Sequence, residues 1–433
     1  MPGGGQTGLP GSPDSVVWVG VVPAAGGAAA EARSASDDVL AGCSWARLGD
    51  RLVVWAQGSD GLTAGGWART AGLPIDECVG AVPADHLHLV TQVGRTFQLE
   101  RPDVPILVDA GRYLVVAHDP TQAARLPERD EVCYGLRPLT SGTVAFRVVT
   151  PQKHTPQPWV QELVDGVSRA TYEAALTYLA GYPTRHSRSA EFTAAAEWAR
   201  DELARLGYDV RLETIRVGAG TSLNVVADRA GAKAGPRGLV VVTAHLDSIN
   251  LAGGPKAPAP GADDNGSGAA GLLEMARVLA GHQGAGDLRL VLFGGEEEGL
   301  FGSRQYVAAL PPVDRARIEA VVNMDMIGTR NTTARTVLLE GAAVSQRLID
   351  ALAAAAATYS ALAVQTSLHP FNSDHVPFID AGLPAVLTIE GADSANEHIH
   401  TAGDTLDHID YDLAVDILRM NVAAVAETLS PAS

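Results

Sequence analysis

The feature that most constrains this chain is a series of short apolar runs, each followed by ionisable side chains. The runs span 238–244, 288–293, 320–324 and 384–389. They are rich in Val, Leu and Ile, which is typical of strands that are covered on both faces. Segments with helical spacing lie between and after them, at 267–280, 300–310, 344–357 and 411–429. This alternation predicts an α/β fold with three layers: a mostly parallel or mixed sheet with helices on both faces.

The character of the chain changes along its length, and at 433 residues the chain is long for a single domain. Residues 1–14 are rich in Gly, Pro and Ser and are expected to be a flexible leader. Residues 15–149 hold short β-branched runs separated by turns, which predicts a small β-rich or α+β accessory domain. Residues 150–159 contain three prolines and are expected to be a linker. Residues 160–433 would then form the α/β domain.

The charge balance excludes some partners. Asp and Glu number 50 against 32 Lys and Arg, which gives a net charge of -18. Such a surface argues against binding to nucleic acid. The sequence contains no apolar stretch of about 18 residues, so we expect no membrane insertion. The first residues lack the basic and apolar regions of a signal peptide, and composition indicates neither the compartment nor the oligomeric state.

The ionisable clusters stand where the predicted strands end. They are His245 with Asp247, Asp263 with Asp264, the acidic run 296–298, Asp325, and His398 with His400. In open α/β sheets, ligands bind outside the carboxyl ends of the strands. We therefore expect these side chains to converge, although they are spread over more than 150 positions. Taken singly, each cluster also has a simpler explanation, namely a helix terminus, a turn with a helix cap, or surface loop histidines.

The chemistry of such a cluster indicates metal. Carboxylates crowded together raise one another's pKa, and divalent cations remove that conflict. His nitrogen and Asp or Glu oxygen are normal zinc ligands. Two ions roughly 3.5–4 Å apart can polarise a carbonyl and generate a nucleophile at neutral pH. A further carboxylate that binds no metal is needed to move protons, and the adjacent pair Glu296 and Glu297 can divide these two tasks.

Six motifs resemble those of one enzyme family. They are AHLDS at 244–248, PGADDNGSG at 260–268, GEEEGLFGS at 295–303, NMDMIG at 323–328, SDHVPF at 373–378 and IHTAGDT at 399–405. In order and spacing, residues from about 160 to 429 resemble the zinc aminopeptidases of the bacterial leucyl aminopeptidase type. The resemblance extends more distantly to the glutamate carboxypeptidases and the glutaminyl cyclases.

The resemblance implies two zinc ions per chain and five ligands, which are His245, Asp263, Glu297, Asp325 and His400. His245 and Asp325 would hold one ion. Glu297 and His400 would hold the other, with Asp263 bridging both. The nucleophile would be a hydroxide that bridges the two ions. Glu296 would be the general base, which takes a proton and passes it to the leaving amine.

Four further residues are expected to support these ligands: Asp247, Asp264, Asp374 and His375. Asp247 lies on the same strand face as His245, so its carboxylate is expected to receive the imidazole N–H. Asp264 is expected to support Asp263, with a helix cap as the alternative.

The substrate contacts are less defined by the motifs. Relatives often carry a tyrosine near the site that binds the developing oxyanion, and the likely places here hold Ile399 and either Pro370 or Phe371. His369 is a candidate substitute. Met326 and Ile399 adjoin ligands and are candidates for an apolar pocket, with ordinary core packing as the alternative.

The resulting hypothesis is a di-zinc metallo-exopeptidase that hydrolyses the N-terminal peptide bond of peptides. A carboxypeptidase or dipeptidase on the same site is the first alternative. It would need a cationic group to hold the substrate carboxylate, for which Arg304 and Arg330 are candidates. A glutaminyl cyclase-like aminoacyl transferase is the second, and the complete set of five ligands argues against it.

Overall fold

A computed structural model describes residues 16–23, 44–57, 77–123 and 133–431. The predicted leader, residues 1–14, lies outside these described residues. The chain forms two compact units. One holds the described residues within 1–92, 96–128 and 134–147, and the other holds those within 93–95, 129–133 and 148–433.

The first unit is rich in strands, as the sequence predicts. Its strands are β1 (Val16–Pro23), β2 (Ser44–Leu48), β3 (Arg51–Gln57), β4 (Glu77–Pro83), β5 (Leu87–Gln92), β6 (Ile106–Ala110), β7 (Tyr113–Ala117), β8 (Tyr134–Pro138) and β9 (Thr143–Val149). Two short helices, α1 (Thr96–Glu100) and α2 (Pro120–Ala123), accompany them. The strands form two groups, in the orders β9-β2-β3-β1-β4 and β6-β7-β5-β8. All neighbours pair antiparallel except β2 with β9.

The second unit alternates helices and strands. Its helices are α3 (Pro158–Asp165), α4 (Arg169–Ala180), α5 (Ala190–Arg205), α6 (Gly268–Ala280), α7 (Phe301–Ala309), α8 (Pro312–Arg315), α9 (Gln346–Tyr359), α10 (His375–Asp380) and α11 (Tyr411–Leu429). Its strands are β10 (Asp209–Val217), β11 (Gly220–Arg229), β12 (Leu239–His245), β13 (Asp287–Phe293), β14 (Ile318–Met324), β15 (Thr336–Glu340), β16 (Ala363–Ser367) and β17 (Ala385–Glu390).

These strands form a mixed sheet in the order β10-β11-β13-β12-β14-β17-β15-β16. The central strands β13, β12, β14 and β17 run parallel to one another. The pairs β10–β11, β11–β13 and β15–β17 are antiparallel, and β15 pairs parallel with β16. The prediction of a mostly parallel or mixed sheet is confirmed.

The side chains of strand β12 show why the second unit has three layers. Alternate side chains of a strand point to opposite faces of its sheet. Val240 and Val242 belong to a large core that includes residues of α4, α5, α6, α9 and α11. Leu239 and Val241 belong to a second core, with Tyr306 of α7 and Phe378 of α10 among its members. The sheet is therefore covered on both faces, and its apolar runs bury both sets of side chains.

The start of this unit differs in detail from the sequence-based expectation. The predicted linker, residues 150–159, ends two residues early, because Pro158 begins α3. A proline suits a first helical position, since its missing N–H would be unpaired there anyway. The apolar spacing of residues 160–179 predicts one helix, but the structure divides this segment between α3 and α4. Ser168 caps α4 by accepting a hydrogen bond from the backbone N–H of Thr171.

None of the described helices combines the length and the apolar composition that a membrane crossing requires.

Candidate metal centre

The predicted ligands gather at one edge of the mixed sheet. His245 is the last residue of β12, and Asp325 directly follows β14. Glu296 and Glu297 stand in the turn after β13. Because these three strands are parallel neighbours, their carboxyl ends meet at the same edge. The segment 262–267, which precedes α6, brings Asp264 to this edge.

Asp264 lies between the two histidines. Its Oδ1 is 3.3 Å from Nε2 of His245, and its Oδ2 is 3.0 Å from Nε2 of His400. A second carboxylate accompanies each histidine. Asp325 Oδ1 is 3.2 Å from Nε2 of His245, and Glu297 Oε2 is 3.0 Å from Nε2 of His400.

The adjacent aspartates are placed differently from the expectation that Asp263 bridges two ions and Asp264 supports it. Asp264, and not Asp263, has one oxygen facing each histidine. The carboxylate of Asp263 accepts hydrogen bonds from the N–H of Gly328 and from Nδ2 of Asn396, both at 2.9 Å. Successive residues of this turn direct their side chains to different places, so the geometry makes Asp264 the better candidate for a shared ligand.

The buried charges of the cluster act strongly on one another. Burial by itself lowers the pKa of His245, but Asp325 and Glu296 raise it well above its usual value. His400 behaves in the same way beside Glu297 and Asp264. The pKa of Asp264 is lowered, because hydrogen bonds from the two histidines outweigh the effect of burial.

The pKa values of the two neighbouring glutamates are raised, in contrast to that of Asp264. Burial raises the pKa of Glu296 well above its usual value, and repulsion from Asp325 and Asp374 adds to this effect. Burial and Asp264 raise the pKa of Glu297 to about 7. Without cations, the cluster therefore favours bound protons.

The donor set fits zinc. The ring N–H of His245 Nδ1 donates to the carbonyl oxygen of Asp247 at 3.2 Å, so loss of the second ring proton would leave a lone pair on Nε2, which faces carboxylate oxygens. Two sets of three side chains could each hold a cation. One set is His245, Glu296 and Asp325, and the other is His245, Asp264 and Glu297. Within each set, the ligand atoms all lie within 4.8 Å of one another. Oε1 of Glu297 is also buried without a hydrogen-bond partner among the described residues. These side chains could hold a cation, which would take the place of the protons that the cluster otherwise binds.

Asp247 supports the site differently from the prediction. Its carboxylate Oδ1 stands 3.7 Å from His245 Nδ1, and the main-chain oxygen receives the imidazole proton instead. The carboxylate accepts hydrogen bonds from the backbone N–H groups of Glu296 and Glu297, at 3.4 and 3.3 Å. Asp247 therefore holds the turn that carries both glutamates.

Asp325 is held by a chain of hydrogen bonds that the motifs did not reveal. Ser373 Oγ donates to Asp325 Oδ2 at 2.7 Å, and Nδ2 of Asn323 donates to Ser373 Oγ at 2.8 Å. Thr243 Oγ1 in turn donates to Asn323 Oδ1 at 2.7 Å. This chain crosses from β12 to β14 and fixes one oxygen of Asp325, which leaves the other oxygen facing His245.

Asp374 and His375, which were expected to support the site, are both completely buried. The charge of Asp374 acts on Glu296, and burial raises the pKa of Asp374 itself to about 7. His375 Nε2 lies 3.6 Å from Oε1 of Glu340, the last residue of β15. Asp374 therefore acts electrostatically on Glu296, the predicted base, whereas His375 lies close to strand β15.

Asn265 joins two of the ligand segments. Its Nδ2 donates to the carbonyl oxygen of Met324 at 2.9 Å, and its Oδ1 accepts from the N–H of Met326 at 3.3 Å. These two groups flank Asp325, while Asn265 itself directly follows Asp264. Gly268 N–H also donates to Asn265 Oδ1 at 2.9 Å, and a Cβ on Gly268 would collide with that oxygen. This explains the glycine in the motif.

Two backbone positions at the site are strained. His400 and Met326 have φ values of 56° and 52°, in the left-handed region that side chains other than glycine rarely adopt. The hydrogen bond from the N–H of Glu390 to the carbonyl oxygen of Met326, at 2.9 Å, helps to hold one of them. Strain of this kind concentrates where the surrounding structure fixes functional groups.

The candidate pocket residues remain predictions. Met326 and Ile399 are buried beside the ligands, which suits both an apolar pocket and core packing. His369 lies just after β16, and its backbone N–H donates to Ser367 Oγ at 3.2 Å.

Glu298, the third acid of the run, is buried, and its Oε1 accepts a hydrogen bond from Ser187 Oγ at 2.6 Å. Burial raises the pKa of Glu298 to about 8. The structure thus separates three adjacent glutamates: Glu297 contacts a histidine of the cluster, Glu298 contacts Ser187, and Glu296 faces the charges of Asp325 and Asp374.

Sequence reasoning missed Arg185, Asn396 and Asp404. Asn396 binds Asp263, and Asp404 binds two backbone N–H groups of the aspartate turn. Asp404 lies within the last motif, so its position there was a usable signal. Arg185 lies well before the first motif, and no pattern marked it.

Comparison with known proteins supports the resemblance that the motifs indicate. Residues 224–425 match the sequence model of peptidase family M28. The chain is 32% identical over 213 residues to leupeptin-inactivating enzyme 1 of Streptomyces exfoliatus, covering 48% of this chain and 44% of that protein. It is also 32% identical over 213 residues to aminopeptidase YwaD of Bacillus subtilis, covering 48% of this chain and 45% of that protein. The chain thus spans about half the length of these relatives.

The fold is also found among solved structures. BSAP, a zinc aminopeptidase from Bacillus subtilis, superimposes with a TM-score of 0.54 at 19% identity, over 60% of this chain and 95% of that one. Together, these matches confirm the resemblance to zinc aminopeptidases.

Proposed function

We propose that this chain, whose residues 224–425 match peptidase family M28, is an aminopeptidase that uses two zinc ions. The observation that carries the proposal is the place of Asp264, whose two oxygens each face one histidine. His245 and Asp325 would hold one ion, and His400 and Glu297 the other, with Asp264 shared. This is the donor chemistry that zinc prefers.

When bound, a pair of zinc ions supplies an activated water and polarises the scissile carbonyl. The protein itself contributes Glu296, which would transfer protons in this reaction. Burial raises the pKa of Glu296, which brings a carboxyl closer to the working pH of a general base. In this role Glu296 accepts the proton of the attacking water and delivers it to the nitrogen of the leaving amine.

The charges around the site favour the amino end of a peptide. A carboxypeptidase needs a cation for the substrate carboxylate. Of the candidates, Arg330 lies 3.5 Å from Asp410 in an ion pair, and Arg304 is exposed on α7. The buried carboxylates around Glu296 suit an α-ammonium group instead. The names of the relatives, an aminopeptidase and a leupeptin-inactivating enzyme, agree with a peptide substrate.

The proposal is tested by zinc content and by hydrolysis of aminoacyl, amine-blocked aminoacyl and C-terminal dipeptide substrates. We expect two zinc ions per chain and activity only on free-amine substrates. Glu296→Gln should keep its zinc and lose about 10²–10⁴-fold in kcat. Glu319→Gln, at an exposed position of β14, is the matched control. Full activity of Glu296→Gln, or activity confined to amine-blocked substrates, would refute the proposal.

A further inference from the structure

The turn that carries Asp264 is held from two sides by residues far away in sequence. Asp404 lies on the N–H side of the turn. Its Oδ1 accepts from the backbone N–H of Asp263 and its Oδ2 from that of Asp264, both at 2.9 Å. The carbonyl oxygen of Asp404 also accepts from the N–H of Ala262 at 3.1 Å. Asp404 thus binds three successive backbone N–H groups.

Arg185 lies on the carbonyl side of the same turn. Its Nη2 donates to the carbonyl oxygen of Gly261 at 2.8 Å, and its Nη1 donates to that of Pro260. The same guanidinium reaches the strand end that carries His245, because its Nε donates to the carbonyl oxygen of Leu246 at 2.9 Å. One planar group therefore joins the segment before Asp264 to the segment after His245.

The backbone of Arg185 strengthens this connection. Its N–H donates to Ser248 Oγ at 3.0 Å, and Ser248 Oγ donates to the carbonyl oxygen of Ala259 at 2.7 Å. Gly261 must be a glycine here, since its φ is 52° and a Cβ would collide with Ser248 and with the carbonyl oxygen of Asp264. The close approach of the turn and the strand end is thus built into several residues.

The cost of burying Arg185 indicates that its position matters. The side chain is fully buried, and in the described part of the chain its hydrogen bonds go to main-chain carbonyl oxygens. Burial lowers its pKa to about 10, while the charge of Asp404 acts to raise it. A buried cation is expensive unless neighbouring charges and hydrogen bonds compensate it. The nearby carboxylates supply the charge, and the turn supplies the acceptors.

We propose that Arg185 and Asp404 are positioning residues that clamp the segment 260–264 from its carbonyl side and its N–H side. The clamp fixes the Asp264 carboxylate midway between His245 and His400. This inference rests on the proposed function, since the position of Asp264 matters most if it is shared by two ions.

Metal binding tests the clamp independently of catalysis. The metal-free full-length protein is titrated with Zn²⁺ against a chromophoric chelator. It is titrated separately with Co²⁺, whose visible absorption reports the coordination geometry. The variants are Arg185→Gln, Arg185→Lys and Asp404→Asn, together with the Arg185→Gln/Asp404→Asn double variant. Circular dichroism establishes that each is folded at the working temperature.

The clamp predicts weaker zinc binding, by about 10–100-fold, for all three single variants, with an altered Co²⁺ spectrum. Lys keeps the charge but lacks the planar fork, so it should not rescue binding. If Arg185 acted through its charge alone, Arg185→Gln would bind zinc more tightly, because the loss of a positive charge strengthens the attraction of a cation. The double variant should lose less than the product of the single losses, since both residues act on one turn.

Arg289→Gln is the matched control, because Arg289 is also buried but its partners are Asp228, Asp314 and Tyr306. If Arg185→Gln fails to fold, the variants Arg185→Lys and Asp404→Asn still test the clamp. Wild-type affinity and spectrum in these variants, or equal losses in Arg289→Gln, would overturn the clamp and leave the proposed function intact. A wild-type protein that binds neither Zn²⁺ nor Co²⁺ would overturn both.

Discussion

Oδ2 of Asp264 lies 3.0 Å from Nε2 of His400, while Oδ1 of the same carboxylate lies 3.3 Å from Nε2 of His245. The neighbouring Asp263 instead receives hydrogen bonds from Gly328 and Asn396. The two aspartates are identical in chemistry and adjacent in sequence, but only Asp264 has an oxygen facing each histidine.

This relationship predicts different outcomes for two matched variants. Asp264→Asn should lose bound zinc and nearly all activity, because an amide nitrogen replaces one of the two shared oxygens. Asp263→Asn should keep more zinc, since its carboxylate serves hydrogen bonds within the fold. Elemental analysis of the purified variants measures both. The reverse order of zinc content would restore Asp263 as the bridging residue.

Asp247 offers a test of how the two glutamates are held. Asp247→Asn removes one of the two acceptors that bind the backbone N–H groups of Glu296 and Glu297. We expect kcat to fall about 10–100-fold with little change in zinc content, because the metal ligands stay in place while the base is displaced. Steady-state kinetics with elemental analysis checks this. A rise in KM at constant kcat would point to a substrate contact instead.

The metal-free protein should become less stable as the pH rises from about 4 to about 8. The pKa values of Glu297 and Asp374 are raised to about 7, and that of Glu298 to about 8. A group with a raised pKa in the folded state contributes stability below its unfolded pKa and loses it as the pH rises through the folded value.

Thermal unfolding across this pH range, with and without zinc, measures the effect. Cations replace the bound protons, so the gain in Tm on adding zinc should increase with pH. The lowered pKa of Asp264 acts with the opposite sign, but only under strongly acidic conditions. A Tm of the metal-free protein that increases steadily over this window would contradict the prediction.

A chain of ion pairs beside the sheet should contribute to stability away from the site. Arg289 is largely buried between Asp228, at 2.5 Å, and Asp314, at 3.2 Å. Arg289→Met should lower the free energy of unfolding by about 2 kcal/mol, because the partly buried Asp228 and Asp314 each lose one of two arginine partners. The comparison is Arg200→Met, whose exposed pair with Asp201 should contribute little to stability. Urea unfolding distinguishes them, and equal losses would show that burial is unimportant here.

The sequence by itself determined the plan of the second unit. Runs such as 239–242 are apolar at every position, so each strand has to be covered on both faces, and the helical segments between the strands provide that cover. The ionisable clusters follow from the same plan, since parallel strands end at one edge. The separation of α3 from α4 was missed because the apolar spacing continues across Gly166 and Ser168, and only the local capping ends one helix and begins the next.

Only the tertiary structure decided which carboxylate faces which histidine. The sequence places Asp263 and Asp264 in one motif, but the direction of each side chain depends on the backbone path of the turn. That path is set by hydrogen bonds from Arg185 and to Asp404, residues about 75 and 140 positions away. Local sequence patterns reflect interactions between residues that are near one another along the chain. The energy of this turn depends instead on contacts that exist only once the chain has folded.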